Sequence, residues 1–278
     1  VKCDLCPRKC LVDRKKGEKG ICGQTENLKV ARAALHFWEE PCISGDAGSG
    51  AVFFSGCPLH CVFCQNENIA NGTVGKEISL ERLVDIFLEL QEKRANNINL
   101  VTPGHFVPQI VKALDQARKE GLTLPVVYNT SSYETVDTIK MLEGYVDIYL
   151  PDFKYMSPGL SKKYSHAPDY AEVAKAAIAE MVRQTGKAVF VNGDEDNLIL
   201  RGTIVRHLTL PGCMADSMQI LKYLHETYGD MIYISIMNQF TPLSNLEKYP
   251  ELNRRITDEE YETLVYYAIE IGIENGFI

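Results

Sequence analysis

The sequence predicts an α/β fold: a partial (β/α)6 TIM-like barrel of parallel strands, led by a small N-terminal cysteine-rich module. Three observations carry this reading. From about residue 50 onward, short and nearly continuous apolar runs alternate with amphipathic stretches, as strands covered by helices on both faces require. The chain has 278 residues, 45% of them hydrophobic, enough for one large domain with an appendage. Residues 1–49 break the repeat and are rich in Gly, Lys and Cys. The expected organisation is therefore a metal-binding module and linker over 1–49 and the barrel over 50–278.

The six expected strands are 51–55, 98–102, 125–129, 146–150, 203–210 and 231–237, all rich in Val, Ile and Tyr. Helix patterns lie between them. One follows Ser79, with Leu80, Leu83, Val84, Phe87, Leu88 and Leu90 at helical spacing. Another starts at Pro108 and stops at Gly121, with proline first and glycine last. A third covers 169–185 before Gly186, and the last opens on Thr257 with Glu260 three residues on, a capping box. Six β-then-α units imply right-handed crossovers. In such barrels the working residues sit on loops at the carboxyl ends of the strands.

No run of about 18 apolar residues occurs and the start has no apolar signal core, so a cytoplasmic protein without a membrane partner is expected. Seven of the nine cysteines fall in two tight clusters, which in such a chain points to metal rather than disulfides. The net charge of −8 is uneven: residues 1–20 carry seven basic and three acidic side chains, a net +4, leaving −12 elsewhere. A basic lobe on an acidic body suggests a negative partner.

The first strand runs into Gly56-Cys57-Pro58-Leu59-His60-Cys61-Val62-Phe63-Cys64-Gln65-Asn66. The spacing is Cys-x3-Cys-x2-Cys, and the count of three matters. Structural zinc takes four closed ligands, whereas a [4Fe–4S] cubane held by three thiolates leaves one iron open. An open iron can bind the amino and carboxylate groups of S-adenosylmethionine (SAM). With aromatic Phe63 just before the third cysteine, the motif resembles that of the radical SAM superfamily. The segments 128–132, 149–155, 202–207 and 210–212 further resemble the pyruvate formate-lyase activating enzymes. More closely still, they resemble a branch of that family with a leading cysteine module and a stretch like His36-Phe37-Trp38-Glu39-Glu40-Pro41-Cys42.

The resemblance implies an anaerobic oxidoreductase chemistry: a reduced cluster on Cys57, Cys61 and Cys64 cleaves SAM to methionine and a 5′-deoxyadenosyl radical, which abstracts hydrogen. The cofactor does the difficult step while the protein orients it and excludes water and oxygen. It implies that Phe63 packs near the adenine and that Asp152 and Lys154 contact SAM. Asn129 and Thr130 would supply SAM contacts and, in some relatives, a monovalent cation site, although an aspartate is usual where Asn129 stands. Arg206 and His207 point to opposite faces of their strand, so one faces the cavity. Arg206, able to pair with a carboxylate, is the expected one. Many relatives cradle the SAM amino group with a Gly-Gly-Glu segment; here Thr102-Pro103-Gly104-His105 stands there, without the carboxylate.

Cys3-x2-Cys6-x3-Cys10-x11-Cys22 offers four thiols in a segment too small to fold by burial alone. Four is the count for a closed zinc site or a fully ligated second iron–sulfur cluster, with the local spacing leaning to zinc. Cys42 and Cys213 receive no role, although Cys42 lies close enough to the motif to be a reactive thiol. The expected substrate is a protein or peptide, as in glycyl-radical activation. An RNA gripped by the basic lobe, or a small metabolite, is the alternative. Electrons would come from an acidic flavodoxin or ferredoxin docking on Arg8, Lys9, Arg14, Lys15 and Lys16.

Overall fold

A computed structural model describes residues 2–194, 197–243 and 246–278. Val1 of the leading module and residues 195–196 and 244–245 of the barrel segment lie outside the described residues. The strands are β1 Lys29–His36, β2 Ser49–Phe54, β3 Lys76–Glu77, β4 Ile98–Val101, β5 Val126–Thr130, β6 Ile148–Pro151, β7 Val189–Phe190, β8 Ile199–Leu208, β9 Tyr233–Met237 and β10 Gly276–Phe277. The helices are α1 Pro41–Ser44, α2 Glu67–Ala70, α3 Leu80–Glu92, α4 Val107–Lys119, α5 Val136–Lys140, α6 Pro158–Ser165, α7 Tyr170–Thr185, α8 Met214–Tyr228 and α9 Asp258–Glu270.

Parallel pairing runs β2–β4–β5–β6–β8–β9 and ends on the short β10. The six strands expected from the sequence are the first six of this run. β1 lies antiparallel against β2, and β3 against β1, so part of the leading segment extends the barrel's own sheet. β1 was not foreseen, because KVARAALH mixes charges and alanines and only Val30 in it is buried. β7 is a two-residue flap on β8.

Local signals explain the helix limits. The Ser79 hydroxyl accepts from the Arg82 amide to open α3, and Thr257 and Glu260 close a reciprocal capping box on α9. Pro158 starts α6 behind the Ser157 cap. The core has three parts. α3 and α4 cover β2, β4 and β5 through Leu83, Phe87, Ile110 and Leu114. Tyr164, Tyr170, Ile178, Ile220 and Leu264 from α6 to α9 cover β8 and β9. Inside the barrel, Val127, Ile148, Leu150 and Ile204 meet Cys42 and Ile43 of α1. α1 thus plugs the amino-terminal end of the barrel, tied there by Asn97 and Asn96 side chains donating to the Ile43 and Ser44 carbonyls. Cys42 is 3% exposed, and its burial, with Glu40 adding to it, pushes the thiol up to about 12. It is packing, not the reactive thiol considered above. No helix among the described residues is long and apolar enough to cross a membrane.

Candidate active site

Because the six long strands are parallel, their carboxyl ends gather at one mouth. The loop after β2 carries the three motif cysteines. Burial pushes the Cys57 thiol up to about 12, with neighbouring Cys61 and Cys64 adding to it. The Cys64 thiol is raised by burial and then by Cys61. The three sulfurs therefore face one region. The Ser165 hydroxyl at the end of α6 donates to Cys61 Sγ (3.0 Å) and is itself paired with the Tyr155 hydroxyl (2.8 Å). Gly56 precedes Cys57 at φ +93°, where a side chain would run into the Cys22 carbonyl of the module. Only glycine lets the two loops approach so closely.

Beneath the cysteine loop lies a buried ionic network. Lys154 Nζ contacts Asp152 Oδ2 at 2.6 Å, with both side chains at most 16% exposed. The other Asp152 oxygen accepts from Arg206 Nε (3.0 Å). Arg206 also donates to Glu39 Oε2 (3.0 Å) and Asn129 Oδ1 (2.7 Å). Asn99 and Asn129 amides complete Glu39 at 3.2 and 3.3 Å. Burial would raise Asp152, but Lys154 and Arg206 outweigh it and hold the carboxyl below its usual range. Burial works against the Lys154 charge too, yet Asp152 and the nearby Cys61 keep it raised. Strand parity decides the partners on β8. Arg206 points inward, while His207 points outward, its two ring nitrogens held by the Phe153 carbonyl and the Ser217 hydroxyl.

Other residues singled out in the sequence sit differently. Phe63 is buried edge-on against Phe240, with ring centroids 5.9 Å apart. Thr130 turns away from Asn129 and donates to Glu134 (2.8 Å), which also accepts from Tyr128. Burial pushes the Glu134 carboxyl up to about 7. Where relatives have Gly-Gly-Glu, Glu134 packs directly against Gly104 from the next loop, and Thr102 takes a left-handed φ of +55°. For a β-branched residue that is strained by roughly 1–3 kcal/mol, and such strain gathers at working sites.

The leading module folds over this mouth. Cys6 is pushed up to about 12 by burial, and Glu134, Cys22 and Cys10 lie close enough to add to it. Burial also raises Cys22, with Cys3 and Cys10 adding to it. The four thiols are thus neighbours. Two of the five basic residues expected to dock an electron donor are not on offer. Arg8 donates to the carbonyls of Pro58 in the cysteine loop (2.9 Å), Ser165 (3.1 Å) and His166 (2.6 Å), and lies over the Tyr133 ring. Arg14 is 8% exposed and donates to the Thr25 and His105 carbonyls. Both clamp the module to the barrel. Lys9, Lys15 and Lys16 remain exposed.

The model of the Radical SAM superfamily matches residues 51–198, more than half of the chain. The chain belongs to the radical SAM superfamily. Membership implies an enzyme that uses a [4Fe–4S] cluster and SAM. The uncharacterized protein MJ0674 of Methanocaldococcus jannaschii is 27% identical over 98% of this chain and 75% of its own length. Among solved structures, Streptococcus suis SuiB bound to SAM aligns at TM-score 0.54 and 13% identity, covering 80% of this chain and 47% of that one. The [FeFe]-hydrogenase maturase HydG aligns at TM-score 0.52 and 15% identity, covering 78% and 48%. A radical SAM methyltransferase from Sphaerobacter thermophilus aligns at 0.52 and 15%, covering 82% and 65%. The chain spans about half the length of SuiB and HydG, and at these identities the likeness is one of fold.

The radical SAM motif fits a multi-iron cluster. Among the described residues no three His, Cys, Asp or Glu side chains converge closely enough to share a single metal ion, as a zinc site requires. Thiolates on a cubane each take a different iron and need no such convergence. Glu39 and Glu40 escaped the sequence reading of this radical SAM chain. They lie in the leading segment, and the pattern of the stretch around them gives no sign that it turns into the barrel. Arg206→Ala would strand the Glu39 and Asp152 carboxylates in a buried interior. Denaturant unfolding should show a loss of about 3–5 kcal/mol, as for a broken buried pair. A loss below about 1 kcal/mol, the scale of exposed pairs, would mean that the network does not hold the barrel.

Proposed function

We propose that Cys57, Cys61 and Cys64 hold the [4Fe–4S] cluster and that the chain acts on a protein or peptide substrate, in the manner of the pyruvate formate-lyase activating branch. The observation that carries this reading is that three thiols on one loop lie close enough to influence one another and the Lys154 of the Asp152–Lys154–Arg206 network. When bound, the cluster and SAM supply a 5′-deoxyadenosyl radical for hydrogen abstraction. The chain's own residues prepare the site. Lys154, aimed toward the cysteines and kept charged by Asp152, is placed to take a carboxylate of SAM. Ser165 donates to Cys61, and hydrogen bonds to cluster sulfurs tune reduction potential. Arg8 fixes the backbone at both Pro58 and Ser165. Phe63, buried against Phe240, would pack near the adenine, while the Asn129 amide oxygen already accepts from Arg206 and offers a monovalent cation no free ligand there. Thr130, turned toward Glu134, supports the loop instead.

Four neighbouring thiols in the module support a second metal on Cys3, Cys6, Cys10 and Cys22. Four thiolates can close a zinc site or fully ligate a second cluster, and the cluster is the occupant proposed. Cys61→Ala should abolish 5′-deoxyadenosine formation under dithionite while leaving circular dichroism unchanged. Elemental analysis of the anaerobic parent protein should give about eight irons per chain, the sum of two four-iron clusters. Deoxyadenosine from the Cys61→Ala protein would overturn the cluster assignment. Four irons with one zinc would return the module to zinc, and four irons alone would remove its metal.

We further propose that Lys9, Lys15 and Lys16 steer an acidic flavodoxin or ferredoxin to the cluster loop. Neutralising the three should slow reduction by flavodoxin about tenfold at low salt and leave dithionite reduction unchanged. The difference should fade as salt screens exposed charges over about 10 Å at 0.1 M. Equal flavodoxin rates at low salt would assign this surface to another partner.

A further inference from the structure

Between the segment after β1 and strands β8, β9 and β10 lies a cavity of about 230 Å³. Its wall includes Trp38 and Glu40 from the segment after β1, Arg206 from β8, Ser235 from β9, and Gln239. That volume is below the usual range of about 300–1,000 Å³ for whole small-molecule sites. It suits one side chain or one small terminal group.

The charges around it do not cancel. Lys154 and Arg206 are matched by Asp152 and Glu39. Glu40 has no charged partner of its own: it is 8% exposed, its Oε2 is buried with no hydrogen-bond partner, and the side-chain bond its carboxyl does make is to the neutral Ser235. Burial raises its pKa, Arg206 opposes that, and Glu39 adds to it. A buried carboxylate oxygen without a donor is costly and calls for an explanation. The neighbouring Glu39, by contrast, is saturated by Arg206, Asn99 and Asn129. A cation entering from the open side would meet Glu40, while the other carboxylates are already engaged. At the rim stands Trp38, 87% exposed, a large aromatic of the kind that attracts cations and anchors partners.

We propose that this cavity binds a cationic group of the substrate, an ammonium or guanidinium, with Glu40 as its carboxylate partner. The inference rests on the proposed function in taking the occupant to be the substrate. The ammonium can belong to a lysine side chain of a polypeptide or to a free amine, and the test separates these sources.

Trp38 is the sole tryptophan, so its fluorescence reports the cavity directly. Cluster-loaded protein with SAM, kept anaerobic and without reductant, is titrated with Nα-acetyl-lysine amide, the peptide Gly-Gly-Lys-Gly-Gly, cadaverine, and Nα-acetyl-norleucine amide. The lysine probes should give saturable shifts, with the norleucine probe at least about tenfold weaker. Folded Glu40→Gln protein should lose at least about tenfold in affinity for the lysine probes. Tighter binding of the peptide than of cadaverine assigns the cation to a polypeptide, the reverse order to a small amine, and either supports the proposal. Equal binding of lysine and norleucine probes, no binding of any cation, or undiminished binding by folded Glu40→Gln would overturn it. The norleucine comparison uses the parent protein and needs no variant. No radical forms in this titration. A protein that binds the probe yet cleaves no SAM therefore contradicts only the proposed chemistry, and one that cleaves SAM yet ignores the probe contradicts only this inference.

Discussion

The Arg206 guanidinium, buried inside the barrel, joins elements that are far apart in the chain. Its five donors in a rigid fork reach Asp152 after β6, Asn129 on β5 and Glu39 from the segment after β1. Burying such a charge is tolerable only with well-aligned counter-charges, so each partner is held where the guanidinium needs it. Asp152 in turn fixes Lys154 beneath the cysteines. The position of the ammonium that faces the cluster loop therefore depends on an arginine 52 residues further along the chain. A lysine at position 206 would keep the charge but lose the fork.

The same logic of one element holding another governs the leading module. Its basic residues read as a solvated patch, yet Arg8 and Arg14 spend their donors on backbone carbonyls of the barrel. Arg8 reaches both the cysteine loop and the end of α6, where Ser165 donates to Cys61. The module thereby touches the candidate cluster site from two directions. Its close approach at Gly56 leaves no space there for a side chain. A second metal in the module would stiffen these contacts, because such small segments depend on ligation for their structure.

How much of this was legible in the sequence follows from the range of each signal. The six long strands declare themselves through uninterrupted Val, Ile and Tyr runs, and the helix caps at Ser79 and Thr257 act within three residues. The inward direction of Arg206 follows from strand parity once Asp152 is placed on the neighbouring strand. β1 is hidden because its mixed charges and alanines, with only Val30 buried, show no clean alternation. Glu39 is hidden because its partners lie 60 to 167 residues away, and Glu40 because nothing in a local window shows that α1 turns into the barrel. The reading of Arg8 and Arg14 as a docking surface failed for the same reason: net charge counts side chains without seeing which carbonyls they serve.

The superfamily assignment and the fold rest on the family match and the parallel sheet. The proposed chemistry rests on an iron that the three cysteines would leave open. Electron paramagnetic resonance of the dithionite-reduced protein, recorded with and without SAM, tests this most directly. The account predicts a spectrum characteristic of a reduced [4Fe–4S] cluster whose g-values shift when SAM is added, and a Lys154→Ala protein that needs more SAM to produce the same shift. A cluster spectrum that SAM leaves unchanged at saturating concentration would contradict it, because every iron would then be closed to SAM.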